Sequence, residues 1–139
     1  MASIVLMDGY LLTKLQQLRT YFQSLNPFAT LYKNNVTPSP SDTIATYTPG
    51  DYDGASSLAV LWPNAPFSSG PGEAFMFGQT LIYQPTGITT PNMVYGIYVI
   101  DTVNVRLIYA MRFDAAPVAI GGNLDALPVV PTWRERSIV

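Results

Sequence analysis

The chain has 139 residues, of which 48% are apolar and only 12% charged, with a net charge of -2 and neither cysteine nor histidine. The two missing residue types exclude disulfide frameworks, thiol nucleophiles, His-dependent triads and the commonest zinc ligand. A weakly acidic chain also lacks the basic surface that neutralises phosphates, so nucleic acid is not an expected partner.

Ile4-Val-Leu-Met7 reads as a short strand or anchoring arm. It has no basic n-region and Asp8-Gly9 interrupts it, so a secretory leader is not expected, and no run is long enough to span a bilayer. Asp8 is placed to cap a helix over residues 10–25, because Leu11, Leu15, Leu18, Phe22 and Leu25 recur on one helical face. Asn26-Pro27 ends it. The pattern then turns to strands. Thr30–Lys33 alternates, and Thr43–Tyr47 reads as a strand or extended edge. Leu58–Trp62 is apolar throughout, as a central strand would be. Residues 63–73, with three prolines and two glycines, read as loop. Ala74–Phe77 and Gln79–Tyr83 follow as strands, with Gly78 a candidate bulge.

Val94–Phe113 gives the strongest β signal and is expected to centre the core, with Asp101-Thr-Val-Asn104 as its hairpin turn. In its second strand, alternation puts Val105, Leu107, Tyr109, Met111 and Phe113 on one face and Arg106, Ile108, Ala110 and Arg112 on the other. Pro117–Ile120 and Leu127–Val130 complete the series around the turn Gly121-Gly-Asn123. Strands separated by Pro/Gly turns predict a mainly β fold: a β-sandwich or jelly-roll-like barrel with one N-terminal amphipathic helix. The expected organisation is an arm over 1–9, a single β-rich domain over 10–131 and a C-terminal arm over 132–139.

Chemistry has few footholds. Asp51 and Asp53 flank Tyr52 in a Gly-containing loop, but six to eight oxygens are needed to hold calcium and only Asp42 lies near in sequence; turn chemistry is the preferred reading. Gly70-Pro-Gly72 and Gly121-Gly-Asn123 lack phosphate-loop spacing. Ser56, Ser57, Ser68 and Ser69 have no histidine to activate them. No enzyme activity, cofactor, metal or small-molecule substrate is therefore expected. Nine tyrosines and six phenylalanines suit a core or a protein interface better than a nucleic-acid platform, which would need flanking basic residues.

An ordered set of stretches carries a resemblance. Leu31-Tyr-Lys-Asn-Asn-Val-Thr-Pro38 comes first, followed by Asp42-Thr43 and Asp51-Tyr-Asp-Gly54. Val94-Tyr-Gly-Ile-Tyr-Val-Ile-Asp101 and Ala110-Met-Arg-Phe-Asp114 with Pro117 complete it. Together they resemble a group of small proteins encoded among the virion structural genes of tailed bacteriophages, over residues 4 to about 131. Met111 stands where that group usually has an acid. The resemblance implies a virion component. Low charge, small size and an apolar N-terminal arm favour a capsid decoration (cement) protein binding across major capsid protein subunits. It would be made in the host cytoplasm and sit on the capsid surface. The alternative is a tail, neck or fibre module that binds a glycan or receptor. Expected partners are other copies of the chain, as a dimer or trimer, and the major capsid protein, with no membrane contact. Candidate interface residues are Ile4, Val5 and Leu6 at one end and Trp133, Arg134 and Arg136 at the other.

Overall fold

The computed structural model describes residues 7–136. In chain order the elements are α1 (Asp8–Ser24), β1 (Phe28–Tyr32), a 3-10 turn (Ile44–Thr46), β2 (Leu58–Ala59), β3 (Phe67–Gly70), β4 (Glu73–Phe77) and β5 (Leu81–Tyr83). They continue with β6 (Asn92–Val94), β7 (Gly96–Asp101), β8 (Arg106–Arg112), β9 (Val118–Ile120), β10 (Leu127–Val129) and β11 (Thr132–Arg136). The fold is mainly β, in several antiparallel sheets with one helix near the N-terminus, as the sequence pattern predicts. It is compatible with a sandwich, and among the described residues no sheet closes into a barrel. The described residues fall into two compact units. One takes residues 7–24, 61–80 and 130–136; the other takes Leu25–Val60 and Leu81–Val129.

The first unit is a helix on a three-stranded sheet of order β11-β4-β3. Leu11, Leu15 and Phe22 are buried, so the apolar stripe is the packing face of α1. The carbonyl of Met7 accepts the amide N–H of Leu11 at 3.0 Å, so the N-cap is Met7 and Asp8 is already the first helical residue. Arg19 donates from Nε to the Trp62 carbonyl at 2.6 Å and from Nη2 to the Pro63 carbonyl at 3.1 Å. These bonds tie the chain entering the sheet to the helix. In β4, Ala74 and Met76 are fully buried, and Trp133 of β11 meets Phe22 edge-on at 5.1 Å. Thr132–Arg136, expected as a free arm, therefore pairs with β4 from Thr132 opposite Phe77 to Arg136 opposite Glu73. Residues 67–70, expected as loop, form β3 on the other side of β4. Gly78 is not a bulge. It follows β4, donates its N–H to the Pro131 carbonyl at 2.7 Å, and would bring a Cβ to 3.1 Å from the Pro131 ring.

The second unit is built on a sheet of order β2-β1-β7-β8. Gly96 to Val99 of β7 are buried, whereas no residue of β8 is; the core centre expected from the whole hairpin lies in its first strand, because β8 is an edge. Gly96 is required where it stands: a Cβ there would overlap the Met111 carbonyl and the Tyr32 ring. The alternation expected along β8 is broken. Val99 pairs with Tyr109 but Ile100 with Leu107, so Ile108 is an extra residue in a β-bulge. The bulge turns Leu107 to the face of Ala110, where both pack near Tyr98, and leaves Tyr109 and Met111 on the opposite face. Val105 precedes the strand with φ +53.

The expected central strand Leu58–Trp62 shrinks to the two-residue edge strand β2, since beyond Ala59 the chain bonds elsewhere: Val60 N–H to the Pro27 carbonyl and the Leu61 carbonyl to Gln79 N–H. Thr43–Tyr47 holds the 3-10 turn in place of a strand. On one face of the four-stranded sheet Ala29, Leu31, Ile97 and Val99 are wholly buried. The Tyr83 hydroxyl, from the β5–β10 pair, donates to the Ala29 carbonyl at 2.9 Å, and the β6–β9 pair adds buried Val94 and Ile120. This layering is sandwich-like.

Candidate functional site

The acids singled out in the sequence are all engaged within the fold. Asp51 accepts from Lys33 Nζ and from Asn92 Nδ2, each at 2.9 Å, while Asn92 Oδ1 accepts the N–H groups of Asp51 and Tyr52. Asp53 Oδ2 accepts the Thr89 N–H at 2.9 Å and the Thr89 hydroxyl at 2.5 Å. These donors hold both carboxyls below their ordinary range: Lys33 and Asn92 for Asp51, Thr89 and Thr90 for Asp53. The pair pins its loop to residues 89–92, as the turn reading expects. No group of three acids suited to a metal gathers among the described residues.

The second unit has a built polar corner. Asn34 staples the ends of the 34–48 loop, donating to the Thr46 carbonyl and accepting the Thr48 N–H, both at 2.8 Å. The loop lies on the remaining face of the four-stranded sheet. Tyr47 stacks on Tyr98 with centroids 5.2 Å apart and meets Tyr32 edge-on at 4.9 Å. The Val36 carbonyl accepts from the Tyr32 hydroxyl at 3.1 Å and from Arg112 Nη1 at 3.0 Å. Two shallow clefts flank this cap. One of about 330 Å³ runs between Pro38–Pro40 and Leu107–Ala110, and one of about 460 Å³ between Asp42–Ala45 and Val105–Leu107. Their shared carboxylate, Asp42, accepts the Tyr47 hydroxyl at 2.7 Å and the Ser39 N–H at 2.8 Å. Burial, then the bond to Asp42, pushes the Tyr47 phenol up, and burial does the same to Tyr109.

Two further surfaces carry exposed apolar side chains. At the hairpin tip Val103 and Val105 are 62% and 73% exposed. In the first unit, Phe67, Phe75 and Phe77 share the face of the sheet turned away from Ala74 and Met76, a consequence of strand alternation. Phe67 and Phe77 are 44% and 42% exposed. The three rings stand against one another, 6.0 Å between Phe67 and Phe75, 5.5 Å between Phe67 and Phe77 and 6.3 Å between Phe75 and Phe77. Arg134, on the strand opposite, lies over the Phe75 ring at 4.6 Å.

Of the interface residues expected from sequence, Ile4, Val5 and Leu6 lie outside the described residues. Trp133 is half-buried against Phe22, so it anchors a strand of its own unit rather than a free arm. Arg134 is exposed on the phenylalanine face. Arg136 ends β11 opposite Glu73. Sequence reasoning missed the three phenylalanines as a group, because Phe67 fell in a stretch read as loop; the i, i+2 spacing of Phe75 and Phe77 was the available signal. Comparison with family models, with curated proteins and with solved structures gives no match to this chain.

Proposed function

We propose that this is a structural protein of a tailed-bacteriophage virion, acting as a capsid decoration protein that binds other copies of itself and the major capsid protein. The observation that carries the reading is the open phenylalanine face. Aromatic side chains without a polar handle, grouped on one exposed sheet face, mark a surface that another protein covers. The resemblance to virion structural proteins and the low charge of the chain support it from the sequence side. Against a glycan site at this face, the three phenylalanines carry no polar group to bond sugar hydroxyls.

Two measurements test the proposal. Negative-stain images of virions labelled with antibody to this protein should show label over the capsid surface. Virions lacking the protein should lose their DNA at lower temperature and lower salt than wild type. Label on the tail or fibre would favour the receptor-binding alternative. Unlabelled virions, or unchanged resistance in its absence, would remove the decoration role.

A further inference from the structure

We infer that the open face of the β11-β4-β3 sheet is a self-association surface, paired with the same face of a second copy about a two-fold axis running along β4. The inference deepens the self-binding part of the proposed function and rests on the same face, while the virion location is tested separately by the labelling above.

Position argues first. Phe75 and Phe77 lie on the central strand, Phe67 on one flank and Arg134 on the other. A two-fold axis lying along β4 exchanges the flanks, so Arg134 of each copy comes over Phe67 of the other, a cation against an aromatic ring. An axis across the strands at the level of Phe75 would instead bring Arg134 over Arg134, two like charges facing each other. The arrangement of charge thus selects one symmetric pairing, and the face is complementary to itself.

Size argues next. Three strands spaced about 4.8 Å apart, each of about five residues rising 3.3 Å, make a face roughly 14 by 17 Å. Such a contact falls short of the roughly 800 Å² per partner buried in stable complexes, so it is a weak pairing that concentration drives.

The test is sedimentation velocity on the full chain, over roughly 10 μM to 1 mM, concentrations that populate a weak dimer. The sedimentation coefficient should rise from monomer toward dimer. Phe77→Ser and Arg134→Gln, both at exposed positions, should weaken the dimer about tenfold or more. Ile82→Ser, an equally exposed apolar position in the other unit, should leave it unchanged. A wild-type chain that stays monomeric throughout overturns the inference, as does a dimer that Ile82→Ser weakens as much as Phe77→Ser.

The axis is tested separately, because the chain has no cysteine of its own. Phe75→Cys lies on the proposed axis and should be joined to its copy by a short bis-maleimide, which spans the roughly 10 Å between facing sheets that a disulfide cannot. Arg134→Cys, held on opposite flanks, should cross-link more slowly, and the reverse order would overturn the axis.

Discussion

Two antiparallel sheets in this chain each present an aromatic face, and the two faces are finished differently. In the larger unit the face bearing Tyr32 and Tyr98 is roofed by the 34–48 loop, with Tyr47 stacked beneath. In the smaller unit the face bearing Phe67, Phe75 and Phe77 stays open. The residue types explain much of the difference. A tyrosine buries its ring and still bonds through its hydroxyl, as Tyr32 does with the Val36 carbonyl and Tyr47 with Asp42. A polar loop can therefore settle on tyrosines and satisfy its own backbone. Phenylalanine offers no such handle and suits contact with another apolar surface. The roofed face serves the fold, and the open one is the surface for which association is proposed above.

Substitutions on the two faces should separate them sharply. Tyr98→Ala removes a nearly buried ring from under the cap and should cost about 3–5 kcal/mol of unfolding free energy in denaturant titration. A loss near 1 kcal/mol would mean that the cap is ornamental to stability.

Next in size is an acid effect in the hairpin. Asp101 is fully buried and accepts N–H groups from Val103 at 2.9 Å and Asn104 at 3.0 Å, the Asn104 side chain at 2.9 Å and Arg106 Nε at 3.0 Å. Burial alone would raise its pKa, but the bonds from Asn104, Arg106 and Val103 outweigh burial and hold it below the ordinary range. A depressed carboxylate contributes stability that is complete above its unfolded pKa of about 3.9 and is lost as pH falls through the folded value. Melting temperature should therefore drop below about pH 4. Asp101→Asn should lower it at pH 7 and flatten that acid limb, and an unaltered limb would acquit the residue.

A smaller gain is expected at Val105, a β-branched residue at φ +53. Val105→Gly relieves that strain and should stabilise by about 1 kcal/mol. Smallest of all, Phe77→Ser should change stability by less than about 1 kcal/mol in dilute solution, since its side chain is already partly in water. A cost like that of Tyr98→Ala would show that the open face is core after all.

Much of this fold was legible in the sequence where a single local rule decides. The apolar stripe of α1, the stop at Asn26-Pro27 and the hairpin turn at Asp101 each follow from spacing or turn chemistry. What was not legible depends on pairing between distant segments. Thr132–Arg136 reads as an arm until β4 supplies its partner, and Phe67–Gly70 reads as loop for the same reason. The bulge at Ile108 is invisible to alternation, because nothing in the residue types announces an extra position. The same gap hid the candidate surface, since Phe67 joins Phe75 and Phe77 only through strand pairing.

The pairing of β4 with β11 also sets a timetable during synthesis. The two strands lie about sixty residues apart in the chain. At translation rates of about 5–20 residues per second, β4 is made some 3–12 seconds before its neighbour. Until then the strand bearing Phe75 and Phe77 has an open edge and no Arg134 above it. Only a chain extended through β11 presents the finished surface, so a ribosome that stalls early releases a product unable to join its siblings in the proposed way.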